Sequence, residues 1–513
     1  MTTDNLVVVN NNDTTTTNLK NTAAPVHQEE EPKVMLGSPM AIVDGVSFSS
    51  GDEWTNWAGN VSTKPERLFY PSTLENLQVI IREATENKKK VRCVGTGHSW
   101  SSTAATQDYM VSVNNMDKIS PPVQLDDGTW TVTIETGVQV SQLDVFLREH
   151  SPALALPANV FPSDVRYGGI LSMGCHGVAL ASTISDTLTE ITIVNAYGEL
   201  HIYSEADDAE AFSVACVNLG LLGIIYTATI KVIPMSQYRL RAIDSYHTIE
   251  SFFHGPDAGL KLKEAVLESD AAEIFYWPHA RFLQNDKRND HFWLKQWKRT
   301  LDPVESLDKY KDQPPTIDHP GFAAFKVGEI VKEIPDAIHF DVTTVEQGAN
   351  VPRLSDASAG FKVDADFGNF VEAFNELLDK NWAFSSSAFP SRIGTLLEVR
   401  FIRASSKYMS FVYDGDEKQD DPKAIYCMIN LLAMNGTPGF VEYSADIMAE
   451  WIDEYNAKPH WAKLWENIPG IYPTLRREYK DRIAIFNRVR KTQDPFDMFL
   501  NDTWRPLFEE SEQ

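Results

Sequence analysis

Two glycine-dense stretches, each carrying a histidine, constrain this chain more than any other feature. The first is "VGTGHSW" at 94–100 and the second is "YGGILSMGCHG" at 167–177. Glycine has no Cβ, so backbone amides at such places can converge on a ligand or pass close to another backbone. The first stretch follows "KVRCV" at 90–94, an apolar run that predicts a buried strand, so the loop leaves a strand end. It is not a GxGxxG fingerprint, because Trp100 stands where the third glycine belongs. Nor is it a P-loop, because no Gly-Lys-Ser/Thr follows. The residues leave two readings open. One is a backbone wrapped round a large, flat, phosphorylated ligand; the other is a tightly packed core that needs small residues. His98 alone fits either, as a ligand-facing group or as a hydrogen-bonded loop residue.

The flanking sequence predicts an α+β fold. Ser72 and Glu75 form a capping-box pattern, and Leu74, Leu77, Ile81 and Ala84 follow at helical spacing, which predicts a helix over 72–90. "WTVTIETGV" at 130–138 alternates with period two, and "VSQLDVFLREH" at 140–150 reads as a short amphipathic helix. "LTEITIVNAYGELHIYS" at 188–204 reads as a hairpin turning near Tyr197-Gly198, and "LGLLGIIYTATIKVIP" at 219–234 as a glycine turn entering a strand. Residues 1–45 read as a disordered tail, because "NNNDTTTTN" and "HQEEEPK" cannot bury apolar area; order is expected from near Trp54.

The division expected is a first domain over 54–240, a second domain over 241–480 and a C-terminal segment over 481–513. The second domain mixes long polar connections such as "KRTLDPVESLDKYKDQPPTIDHP" with aromatic pieces such as "EIFYWPHARF". A length of 513 residues suits two or three domains.

Charge excludes some partners. Lys and Arg number 46 against 72 Asp and Glu, a net charge of −26, which repels nucleic acid and anionic lipid. The four cysteines, Cys93, Cys175, Cys216 and Cys427, share no CxxC spacing, so neither a metal site nor a redox pair is signalled. No basic-then-apolar leader and no run of about 18 apolar residues is seen, which points to a cytoplasmic location without a membrane span. Nothing in the sequence sets the oligomeric state.

The second half carries the chemistry. In "TLLEVRFIRA", Glu398 and Arg400 alternate inside a strand pattern over 395–402, so both point to one face. An isolated ExR is commonly a surface cross-strand pair, yet Leu396, Leu397, Phe401 and Ile402 argue for a buried strand, where charges must be paired or used. In "KPHWAKLW", His460 and Lys463 would share a face if the segment is helical. On its own this segment reads equally as a solvated lysine on an amphipathic helix.

Taken together, "NWAGN", "KPERLFYPSTLENL", "VGTGHSWSS", "YGGILSMGCHG", "LGLLGI", "LLEVRFIRAS", "KPHWAK" and "DPFDMFLND" occur in an order that resembles the sugar-1,4-lactone oxidases. These include L-gulonolactone and D-arabinono-1,4-lactone oxidases, within the vanillyl-alcohol-oxidase-type FAD flavoproteins. The resemblance spans roughly 54–505. It implies a two-domain PCMH-type FAD-binding fold with a mixed α/β cap over the flavin.

It further implies that Val94, Gly95, Thr96, Gly97, His98 and Ser99 form the FAD pyrophosphate loop, with His98 bonded through a ring nitrogen to the flavin 8α carbon. Gly169, Ser172, Gly174, His176, Gly177 and Ile225 would contact the cofactor. Cys175 stands where these enzymes usually carry threonine, and is expected to be a small buried residue rather than a second flavin anchor. Val160 falls where they have glycine beside the flavin, which leaves oxidase against dehydrogenase open at the oxygen-access position. Glu398, Arg400, Lys463 and His460 would be the catalytic set.

The implied reaction is oxidation of the C2 hydroxyl of an aldono-1,4-lactone with O2, releasing H2O2 and an ascorbate-type product. The alternatives are an alditol or sugar oxidase, a lactone dehydrogenase, or, in another class, a non-enzymatic metal or ligand binder built on Cys175, His176 and His98.

Overall fold

Period-two apolar runs such as "LLEVRFIR" bury a face only by pairing with neighbours, and three main β-sheets result. The computed structural model describes residues 41–160, 162–181, 183–235, 239–276, 291–303, 330–333, 353–383, 396–415 and 424–509. The first sheet has the strand order Ala41–Val43, Val46–Ser50, Arg67–Phe69, Tyr109–Ser112, Val91–Val94, with the last three mutually parallel. Helix Leu74–Glu86 covers it with Leu77, Ile80, Ile81 and Ala84.

The second sheet runs Leu200–Ser204, Leu188–Val194, Ile224–Pro234, Trp130–Glu135, Val123–Gln124, and Leu154–Ala155 also pairs with Ile224–Pro234. The third runs Ile330–Glu333, Arg239–Thr248, His291–Thr300, Ala271–Tyr276, Leu396–Arg403, Ile425–Met434, Leu354–Lys362, Lys458–Pro459. Helices Ala258–Leu267 and Gly368–Ala383 bury Leu262, Phe370 and Phe374 in the core that this sheet shares with Val399 and Phe401. No helix among the described residues is long and apolar enough to cross a membrane.

The C-terminal residues return to the first sheet. The Val91 N–H donates to Met498 O at 2.9 Å, and Arg92, itself buried, donates through Nη1 to Phe499 O at 2.7 Å. Asn501 Nδ2 bridges the carbonyls of Ser102, Thr103 and Ala105.

Three expectations need correction. Of the span read as a tail, 1–40 lies outside the described residues, but Ala41–Val43 and Val46–Ser50 pair as a hairpin. Its turn, Asp44-Gly45, has φ of 46° and 85°, the left-handed pair that a two-residue turn requires. The Asp-Gly dipeptide between Ile42-Val43 and Val46 was a readable signal for it.

The first helix is capped by Thr73, not Ser72: Thr73 Oγ1 accepts the Asn76 N–H at 3.2 Å. The segment carrying His460 and Lys463 is not helical. Lys458–Pro459 is an edge strand and the chain then turns, because a residue before proline is driven to extended backbone. The segment after Tyr276 and the polar connection from 304 lie outside the described residues.

Candidate active site

Alternation on the Leu396–Arg403 strand sorts its side chains. Leu397, Val399 and Phe401 are fully buried, and the Phe401 ring lies 5.3 Å from that of Phe370. Glu398 and Arg400 take the opposite face. Register then assembles that face, because directly opposed antiparallel residues share a side. Glu273 opposes Arg400, Asn430 opposes Glu398, and Ser358 opposes Asn430.

Arg400 donates to Glu398 Oε1 through Nη2 at 2.6 Å and Nε at 3.0 Å, and its Nε lies 3.3 Å from Glu273 Oε1. Asn430 Nδ2 donates to Glu398 Oε2 at 3.3 Å, and Ser358 Oγ donates to Asn430 Oδ1 at 2.6 Å. The side chains of Glu273, Glu398 and Arg400 are 4%, 9% and 9% exposed, so the pairing replaces water. Burial pushes Glu273 up to about 7; Arg400 opposes that shift and Glu398 adds to it. Burial alone would lower Arg400, but Glu398 and Glu273 hold it above its ordinary value.

The edge strand delivers a second cation to the same place. His460 N–H donates to Ser358 O at 2.9 Å and Leu464 N–H to Asp356 O at 3.0 Å. Lys463 Nζ pairs with Asp356 Oδ2 and sits 4.1 Å from the centroid of the Trp100 ring. Burial raises Asp356, with Lys463 pulling the other way. His176 and His460 are both buried, with rings 5.7 Å apart. Burial, reinforced by Arg400 and Lys463, takes His176 down to about 3 and His460 well below its usual range, so both are neutral at pH 7. Their partners assign opposite tautomers: His176 Nδ1–H donates to Gly177 O at 3.0 Å, whereas His460 Nδ1 accepts from the Ala462 N–H at 3.1 Å.

The first glycine loop is tied to this cation segment. The Trp100 N–H donates to Ala462 O at 2.8 Å and Ser101 Oγ to Trp461 O at 2.7 Å. Gly97 has φ 74°, and a Cβ there would meet the Trp54 ring at 3.1 Å. The His98 ring stacks on Trp57 at 5.0 Å, and His98 Nε2 bonds Asp164 Oδ2 at 2.7 Å. Burial would raise Asp164, but His98 holds it below its ordinary value.

The second glycine segment divides. Gly177 serves packing, since a Cβ would lie 2.0 Å from Asn159 O. Gly174 has φ 61° and lies against Val217. Gly169 is exposed and a Cβ there would meet nothing within 4 Å. Ser172 Oγ donates to Gly168 O, and Ser172 O accepts the Leu219 N–H, which draws the later glycine turn to this segment. Ile225 is buried in the second sheet, its carbonyl accepting Thr136 Oγ1 at 2.9 Å. Val160 is buried beside Asn159. Val94 is buried at the strand end before the loop, and Gly95, Thr96 and Ser99 remain partly exposed along it. Burial pushes the Cys175 thiol up to about 12, so it is no thiolate nucleophile. Among the described residues, no three of His, Cys, Asp or Glu group to hold a metal ion.

These loops fit a polar, phosphorylated cofactor such as FAD. Asn114 Oδ1, Asn159 Nδ2 and Asp164 Oδ1 are buried without hydrogen-bond partners among the described residues, and Gly169 leaves a gap where a side chain would stand. Sequence reasoning missed Glu273 and Asp356, the counter-ions of Arg400 and Lys463. Each is a lone acid within a strand, and only cross-strand pairing makes it part of the site.

Known proteins bear on this geometry. Residues 65–204 match a family described as an FAD binding domain, and residues 369–506 match one described as D-arabinono-1,4-lactone oxidase. The chain is 29% identical to L-gulonolactone oxidase of Mus musculus over 495 residues, covering 89% of this chain and 98% of that protein. The corresponding enzyme of Scyliorhinus torazame is 25% identical over 496 residues, with the same coverage. D-arabinono-1,4-lactone oxidase of Candida glabrata is 34% identical over 228 residues, which span 44% of this chain and 42% of that protein. A crystal structure of cholesterol oxidase from B. sterolicum shares the fold with TM-score 0.73 at 17% identity, covering 92% of this chain and 100% of that one.

Proposed function

We propose that this chain, a member of the sugar-1,4-lactone oxidase group of FAD-dependent oxidoreductases, oxidises the C2 hydroxyl of an aldono-1,4-lactone. L-gulono-, L-galactono- and D-arabinono-1,4-lactone are the candidate substrates, O2 the acceptor, and H2O2 and an ascorbate-type compound the products. The observation that carries this reading is the buried Arg400, clamped between Glu398 and Glu273, on the same sheet face as the Lys463–Asp356 pair.

Bound FAD would supply the hydride acceptor and its reoxidation by oxygen. Val94, Gly95, Thr96, Gly97 and Ser99 would hold its pyrophosphate on backbone amides, with Gly169, Ser172, Gly174, His176, Gly177 and Ile225 along its length. His98 would carry the covalent link. Asp164 accepts from Nε2–H, which leaves the Nδ1 lone pair as the nucleophile.

Arg400 would stabilise negative charge that develops on bound flavin, and Glu398 would orient a substrate hydroxyl. Lys463 lowers the cost of deprotonating the reacting hydroxyl, and the neutral His460 offers Nε2–H to a substrate oxygen. The site is water-poor, so each interaction is stronger than at the surface.

The test is anaerobic mixing with a panel of lactones and polyols, followed by admission of air. A lactone should bleach the flavin and air should restore it; bleaching by polyols alone would overturn the lactone reading. His98→Ala should release flavin on acid precipitation, and flavin that stays attached to that variant would contradict the anchor. A second reading, lactone dehydrogenase, is favoured by Val160, buried next to Asn159, where the resemblance puts a glycine beside the flavin. In that case bleached flavin would stay bleached in air and recover with a dye acceptor.

A further inference from the structure

We propose that a cavity on the far side of Phe411 from His460 binds a small polyhydroxylated carboxylate. The cavity has a volume of about 240 Å3. It opens where strands Leu354–Lys362 and Ile425–Met434 end against helices Phe440–Tyr455 and Lys480–Gln493. Phe411 is the shared wall, lining the cavity while its ring lies 4.6 Å from that of His460. None of the residues assigned above to the flavin or to the reacting hydroxyl lines it.

Arg482 points to the ligand's charge. It is 6% exposed, and its guanidinium lies between two tyrosine rings, 3.7 Å from the centroid of Tyr479 and 4.8 Å from that of Tyr413. Nη1 donates to Tyr408 O at 3.2 Å, while Nε is buried with no hydrogen-bond partner. Among the described residues no carboxylate pairs with it. The other two cations of the lining each have one: Lys362 pairs with Asp414 at 2.7 Å and Lys458 with Glu478 at 3.5 Å.

Among the described lining residues, three cations against two carboxylates leave one positive charge at the cavity. A buried charge without a counter-ion is destabilising, and a single negative charge placed there removes that penalty. Burial also pushes Lys458 down to about 8, with Arg482 pulling the same way and Glu478 opposing. An anion in the cavity would relieve that strain as well.

The remaining groups select the rest of the ligand. Asp414, Glu478 and the Asn456 side chain accept hydrogen bonds, so they favour hydroxyl groups. They also repel a phosphate dianion, which would face two carboxylates. The planar guanidinium, packed against two tyrosine rings and lacking a carboxylate partner among the described residues, matches the two oxygens of a carboxylate. An open-chain sugar acid combines these features.

Isothermal titration of the holoenzyme with sodium D-gluconate tests this independently of turnover. One site per chain is expected in the wild type and in Lys463→Ala. Affinity should fall about tenfold or more in Arg482→Gln and in Lys458→Gln, the loss typical of a charged hydrogen bond. Inorganic phosphate should give weaker binding than gluconate. No gluconate binding in the wild type would overturn the proposal, as would equal affinity in both cavity variants or tighter binding of phosphate. Gluconate lost in Lys463→Ala but kept in Lys458→Gln would move it to the active site and equally overturn it. If Arg482→Gln does not fold, Lys362→Gln takes its place: its side chain is 50% exposed, and weaker binding is again the expected result.

Discussion

The two glycine segments and the sheet face around Arg400 meet at one site but are held together by different physics. The glycine segments are shaped by what is missing. Gly97 needs a left-handed φ, and Gly177 needs a backbone to pass where any Cβ would strike Asn159 O at 2.0 Å. The sheet face is shaped by what is present: three buried ionisable side chains that tolerate burial only as a set. Steric demands are local and nearly absolute. Electrostatic demands are shared, so removing one member changes the state of the others.

That contrast can be broken or sharpened by substitution. The largest effect is expected from Arg400→Ala, which leaves Glu398 and Glu273 buried without their cation. Stability should fall by about 3–5 kcal/mol, and the rate of flavin reduction by about a thousandfold. Denaturant melts and stopped-flow reduction measure the two; a normal reduction rate would remove Arg400 from the chemistry.

Gly177→Ala comes next, at about 3 kcal/mol from overpacking, read as a lower Tm with no change in pH dependence. If it were tolerated, the steric half of the comparison would fail.

Glu273→Gln has a smaller effect with a sign that can be worked out. The folded-state value of Glu273 is raised to about 7 from 4.5, so its proton-linked contribution is complete below about 4.5 and is lost as pH rises through 7. Wild-type Tm should therefore decline relative to Glu273→Gln between about pH 5 and pH 8. A constant difference would show that Glu273 does not hold the proton.

The smallest effect is expected for Gly169→Ala. No atom lies in the way, and alanine favours a helical position, so stability should change by less than about 1 kcal/mol. Flavin content after purification should nevertheless fall, because the methyl group would take space proposed for the cofactor. Full flavin loading would place the cofactor elsewhere.

Features that depend on a few consecutive residues were legible. The strand before the first loop, the hairpin over 188–204, the helix within 72–90 and the alternation of Glu398 and Arg400 all appear where their patterns put them. The errors were local too: Thr73 rather than Ser72 takes the cap, and Pro459 turns an expected helix into an edge strand. The Asp44-Gly45 hairpin was overlooked inside a segment judged by its low-complexity neighbours.

Order along the chain was enough to name the glycine loops, the ExR strand and the lysine segment, because each motif expresses a constraint on its own backbone. It could not assign their partners. Glu273 stands 127 positions before Arg400, and Asp356 stands 107 before Lys463. Which acid opposes which base is set by strand register, a property of the assembled sheet. Burial then decides the protonation of Glu273, Asp356, His176 and His460, since their charge depends on water that folding removes.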